Sequence, residues 1–77
     1  MKKTTLEYIH GVLEEDVATK MRIWCEASDE YFDWLNLERS GADYHKKLAE
    51  LRYTLSDSYS RYTVALYALR EFRSENF

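Results

Sequence analysis

Residues 44–72 read YHKKLAELRYTLSDSYSRYTVALYALREF. Within them Tyr44, Leu48, Leu51, Leu55, Ser58, Tyr62, Ala65, Leu69 and Phe72 fall at alternating steps of four and three residues. That 3.5-residue period is the spacing of a helix whose apolar seam meets a partner helix along its whole length. No proline interrupts it. Tyr59 and Leu66 widen the seam on one flank. The stretch predicts one long helix, over about 43–74, and requires a second element of similar length to cover it.

The second element lies immediately upstream. Leu6, His10, Leu13, Val17, Met21, Trp24, Ser28, Tyr31 and Leu35 also recur at steps of three and four. Leu6 to Trp24, His10 to Ser28, Leu13 to Tyr31 and Val17 to Leu35 are each 18 residues apart, which is five turns of a straight 3.6-residue helix. The spacing predicts one continuous helix over about 5–37, carried through Gly11, with Thr4 and Glu7 as a capping box at its start. The alternative is a break near Glu14–Asp16 that would make a three-helix bundle. Between the arms, Glu38-Arg-Ser-Gly-Ala-Asp43 holds the turn signal, placing the turn at about 38–42. Gly41 is able to close the first helix in a left-handed conformation, or Ser40 with Asp43 to open the second. Each arm is about 50 Å long at 1.5 Å per residue, and so short a loop demands an antiparallel hairpin. The expected fold class is therefore all-α, one domain over residues 1–77.

Charge divides with the arms. Residues 1–38 hold four basic and nine acidic side chains, residues 39–77 seven basic and five acidic, which together make the net charge of −3. An acidic arm beside a mildly basic one attracts it.

A chain of 77 residues is too short for a Rossmann or barrel scaffold. At this size folding buries only roughly 60–65% of the surface the unfolded chain exposes, so a lone monomer is marginal unless something else contributes. A disulfide does not contribute, because Cys25 is the only cysteine. Cysteine usage together with an N-terminal segment broken by Glu7, His10, Glu14, Glu15 and Asp16 leads to a cytoplasmic location as the expectation. Two cylinders also share one line of contact, leaving Trp24, Tyr31, Tyr62 and Leu66 partly wet. Pairing two hairpins into a dimeric four-helix bundle would cover them.

Chemistry-bearing patterns are sparse. Glu7-x-x-His10 has the spacing used by carboxylate-bridged metal bundles, and Glu71 or Glu75 of the second arm falls near the same level. Glu7 lies off the apolar stripe, however, so His10 is expected to be a structural histidine; no metal, cofactor or catalytic residue is assigned. Cys25 borders the stripe beside Trp24 and is expected to be a buried, inert thiol. His45, beside the turn, is expected to be exposed. No glycine-rich phosphate loop or nucleophile elbow is present, and the chain is read as a non-enzyme.

Surfaces remain. Tyr53, Val64 and Tyr67 project from the side opposite the seam of the second arm, an excess over what hairpin packing requires and a candidate contact surface. Trp34 is a second candidate anchor, open to the alternative that it packs on the other arm. Glu26, Asp29, Glu30 and Asp33 form an acidic face on the first arm. These residues point to a small protein-interaction module, a regulator, inhibitor or adaptor of a larger protein, acting as a homodimer. The alternative is a nucleic-acid-binding regulator using the Lys, Arg and Tyr residues of the second arm, disfavoured by a pI near 5.3. A metal-binding helical bundle comes third. No membrane association is expected.

Overall fold

A computed structural model describes residues 2–37 and 41–77, with side chains from Thr5 onward. The described residues form two helices, α1 over Lys2–Leu35 and α2 over Ala42–Asn76. They pack antiparallel into a rod of 60 × 14 × 13 Å. Helix α1 runs unbroken through Gly11 and Glu14–Asp16, so there is no third helix among the described residues. It also begins at Lys2, which places Thr4 inside the helix and not at its cap.

The seam of α2 is the one its spacing predicts. Leu51, Ser58, Ala65 and Leu69 are buried, while Tyr44, Leu48, Leu55, Tyr62 and Phe72 are half-buried. The seam of α1 is not. Leu6, His10, Leu13 and Val17 face α2 as expected, but Met21 and Leu35 stand 44% and 42% exposed, and Ala27, Lys20 and Trp34 are covered in their place. Positions 6, 10, 13, 17, 20, 24, 27, 31 and 34 now form the covered line, a second heptad series, with Asp16, Thr19 and Ser28 half-covered beside it. The cause lies in the partner. A stripe of period 3.6 drifts by about 20° per heptad relative to one of period 3.5, so over five turns of shared seam it would leave contact with α2. Both helices must follow one period, and α2 sets it.

The core is thin. Among the described residues, the buried apolar side chains are Ala27, Leu51, Ala65 and Leu69, and none of the large ones is fully buried. Trp24, Tyr31, Tyr62 and Leu66 are half-covered, as two isolated cylinders require. Ser58 is the one buried polar residue among those described, and its hydroxyl donates to the Leu55 carbonyl at 3.0 Å, so its burial leaves nothing unpaired. Trp24 supplies the largest packing element, stacked on Tyr62 with ring centres 5.3 Å apart and tilted against Tyr59 at 5.0 Å. Each such ring pair adds about 0.5–1.5 kcal/mol beyond area burial.

Gly41 does not close α1. It stands at the start of α2, with φ 124° and ψ 167°, and its carbonyl accepts the first helical bond from the His45 amide at 3.1 Å. This is a conformation that only glycine adopts without strain. Ser40, the other candidate at the turn, lies outside the described residues. The end of α1 is closed from across the hairpin: the Tyr44 hydroxyl donates to the Trp34 carbonyl at 2.8 Å and approaches the Leu37 carbonyl at 3.3 Å. These are among the carbonyls that a helix end leaves without partners.

The two glycines should respond oppositely to alanine. Gly11 is exposed in mid-helix with open space around it, so Gly11→Ala should raise unfolding stability by about 0.5–1 kcal/mol. Gly41→Ala should lower it by about 1–3 kcal/mol. Urea unfolding followed by circular dichroism measures both.

Candidate interaction surfaces

With both seams in heptad register, each helix carries two flanking rows, one on either side of the contact line. Contacts between the helices fix which rows meet. Glu14 of α1 and Arg73 of α2 approach to 3.7 Å across the first flank. Asp16 and Lys20 of α1 line a concavity of about 500 Å3 with Asp57, Arg61, Val64 and Ala68 of α2 across the second. These two flanks and the outer rows are the surfaces available for function.

On the first flank, α1 presents Ala18, Met21, Cys25, Ser28, Phe32 and Leu35, without a charge from Ala18 onward. Helix α2 presents Ala49, Ser56, Tyr59, Thr63 and Leu66 between Arg52 and Arg70. Met21, Phe32, Leu35 and Tyr59 are all exposed here. Cys25 is exposed as well, contrary to the buried thiol expected from the straight stripe. Once the seam turns toward Ala27, Cys25 is carried out to the flank.

The second flank differs in charge. Its rows carry nine carboxylates against Lys47 and Arg61 among the described residues. Arg61 is already engaged, its Nε donating to Asp57 Oδ2 at 2.9 Å, and that hydrogen bond holds the guanidinium above its ordinary value. Lys20 pairs with Asp16 on the facing helix. Between these two ion pairs the concavity is lined by the small residues Ala65, Ala68 and Ser60, with Val64 at its rim.

The outer side of α2 carries Tyr53, Val64 and Tyr67, at 75%, 70% and 64% exposure. They do not form one patch. Tyr53 and Val64 are eleven residues apart, about 16 Å along the axis, and Ser60 and the Asp57–Arg61 pair lie between. Val64 and Tyr67 do adjoin, and Val64 forms the rim of the concavity. The Glu71 carboxylate one turn on raises the Tyr67 phenol above its usual range. On α1, Glu26, Asp29, Glu30 and Asp33 are exposed and form no ion pair among the described residues.

Trp34 is not a free edge. Its ring lies 6.1 Å from that of Tyr44 with the Lys47 ammonium 5.9 Å over its face, so packing on α2 takes it up. The basic side chains of α2 are partly committed too, Arg61 to Asp57, Arg73 to Glu14 and His10, and Lys47 to Trp34.

His10 closes the open end of the hairpin. Its ring stacks on Phe72 at 6.2 Å and tilts on Phe77 at 5.1 Å. Arg73 Nε donates to Nε2 at 2.9 Å, and Nδ1 lies 3.0 Å from Glu14 Oε1. An imidazole accepts at Nε2 only when neutral with its proton on Nδ1, and that proton is the one directed at Glu14. Glu7 and Glu71 are not part of this cluster, and among the described residues no group of three or more His, Cys, Asp and Glu side chains is placed to hold a metal ion. No described helix is long and apolar enough to cross a membrane. His45 is exposed, as expected.

Removing the hydroxyl that closes α1 should be felt without loss of the fold: Tyr44→Phe should destabilise the hairpin by about 1 kcal/mol in denaturant unfolding, with helicity retained. No protein-family model, curated protein or solved structure matches the chain, so its function is argued from this geometry alone.

Proposed function

We propose that the protein is a small non-enzymatic interaction module: two hairpins pair into a four-helix bundle, and the outer surface of that bundle engages a larger protein as a regulator, inhibitor or adaptor. The observation that carries this reading is surface area. Monomeric proteins of 9.3 kDa expose about 5000 Å2 by the usual scaling with mass, whereas the hairpin exposes 6171 Å2. The excess, roughly 1200 Å2, is of the size that each member of a permanent dimer covers.

The surface left after pairing has features suited to a protein partner. Tyr67 and Val64 beside the concavity offer an aromatic anchor next to a small apolar hollow, and Tyr53 offers a separate one farther along α2. The exposed carboxylates at Glu26, Asp29, Glu30 and Asp33 would steer a partner of basic surface. The same charge works against nucleic acid, and Arg61 and Arg73 are already occupied within the chain.

Two measurements test the reading. Sedimentation equilibrium over a hundredfold dilution should show a dimer or larger species, and a sharply melting monomer throughout would overturn the pairing. Tyr67→Ala or Tyr53→Ala should weaken binding of a captured partner by about 1–3 kcal/mol with little change in folding. A Tyr53→Ser, Tyr67→Ser variant that kept every binding activity would show these side chains to be incidental surface.

A further inference from the structure

The two flanks of the hairpin are unequal, and the inequality decides how a second copy sits. On the first flank, the charged side chains of α1 are Glu7 and Glu14 and those of α2 are Arg52, Arg70 and Arg73, so each helix carries one sign. Between them lies the exposed apolar strip of Met21, Cys25, Phe32 and Tyr59. On the second flank, α1 is wholly acidic and α2 carries more carboxylates than bases. Two such surfaces brought together would repel along their whole length.

We infer that the first flank binds a second copy of this chain, with the two-fold axis parallel to the helices, so that each α1 lies beside the partner's α2. The inference rests on the pairing proposed above and adds the face and the orientation. The orientation follows from charge and level. Within one hairpin the levels are set by the ring contacts, where His10 meets Phe72 and Trp24 meets Tyr59, and the Arg73 guanidinium reaches from its level to the Glu14 carboxylate at 3.7 Å. A two-fold along the bundle keeps levels equal, so Glu7 and Glu14 of one copy come beside Arg70 and Arg73 of the other. A two-fold across the bundle that set α2 against α2 would instead bring Arg52 of each copy toward Arg70 and Arg73 of the other, a like-charge contact. The parallel axis leaves the two α1 helices diagonally opposed, and the acidic second flanks face water. The flank is also suited in shape, since Ala18, Ser28, Ala49 and Ser56 let helices approach while Met21, Phe32, Tyr59 and Leu66 fill the space between.

The single native thiol makes the arrangement testable. Cys25 and Ser56 occupy equivalent rows at nearly the same level, directed outward from one hairpin and toward each other between copies. In Ser56→Cys, air oxidation with a copper–phenanthroline catalyst should convert more than half of the protein into a covalent dimer on a non-reducing gel. The native protein, whose Cys25 pair is diagonal, should give little. Thr63→Cys reports the reversed orientation and Ser60→Cys the outer side, and both should cross-link at least tenfold more slowly than Ser56→Cys. As an independent readout, Met21→Glu should raise the dimer dissociation constant at least tenfold with helicity unchanged, while Ile23→Glu, on the second flank, should leave it within threefold. Cross-linking led by Thr63→Cys or Ser60→Cys, or absent from all three in a protein that sediments as a dimer, would overturn this arrangement alone. A native protein that sediments as a monomer at every concentration would overturn the pairing together with it.

Discussion

Two helices packed against each other alone meet along one line, and here that line must stay in register for about 50 Å. Among the described residues it is this line that holds the arms together between the turn and the open end. The heptad spacing of α2, with Leu51, Ser58, Ala65 and Leu69 buried along it, sets a 3.5-residue period that α1 has to match. The consequence is visible at Lys20, a charged side chain drawn into a seam position because the register requires that position to face α2. Its ammonium is kept in partnership by Asp16 one turn earlier, which turns a costly burial into a half-exposed ion pair.

Because the line is thin, the hairpin relies on aromatic groups spaced along it. Trp24 with Tyr59 and Tyr62 occupies the middle, Trp34 with Tyr44 the turn end, and His10 with Phe72 and Phe77 the open end. Each cluster also carries a polar contact. The Tyr44 hydroxyl joins the Leu37 amide in donating to the Trp34 carbonyl at the end of α1, and His10 accepts from Arg73 at the open end of the hairpin. Large flat rings with one polar tip suit a core that is never far from water.

The same thinness produces the surfaces. A seam of two rows per helix leaves the flanking rows half exposed, and what occupies those rows decides what the protein can do. One flank is apolar and of matched charge, the other acidic around a concavity bounded by two ion pairs. The concavity exists because Ala65 and Ala68 are small where the neighbouring seam positions are Tyr62 and Leu69. On the proposed reading, one face would serve a second copy of the chain and the other a partner.

Much of the fold was legible in the residues. The absence of proline, the heptads of α2, the equal arms and Gly41 at the middle require two long antiparallel helices, because backbone propensity and side-chain period are local properties that each helix carries by itself. The exposure of Tyr53, Val64 and Tyr67, and of Glu26, Asp29, Glu30 and Asp33, follows in the same way from their distance to the apolar rows. What only the tertiary structure decided is everything that depends on the other helix. The first arm read alone supports a straight stripe through Met21 and Leu35, and from Leu6 to Val17 that stripe and a heptad are indistinguishable. The two diverge at Lys20, and the choice between them belongs to α2, whose period α1 must adopt to remain in contact. From that single rotation follow the exposure of Cys25, the burial of Ala27 and the docking of Trp34 on Tyr44. The capping of α1 by a tyrosine from the opposite arm has the same origin, since a hydrogen bond between residues brought together by the turn has no signature in the spacing of either helix.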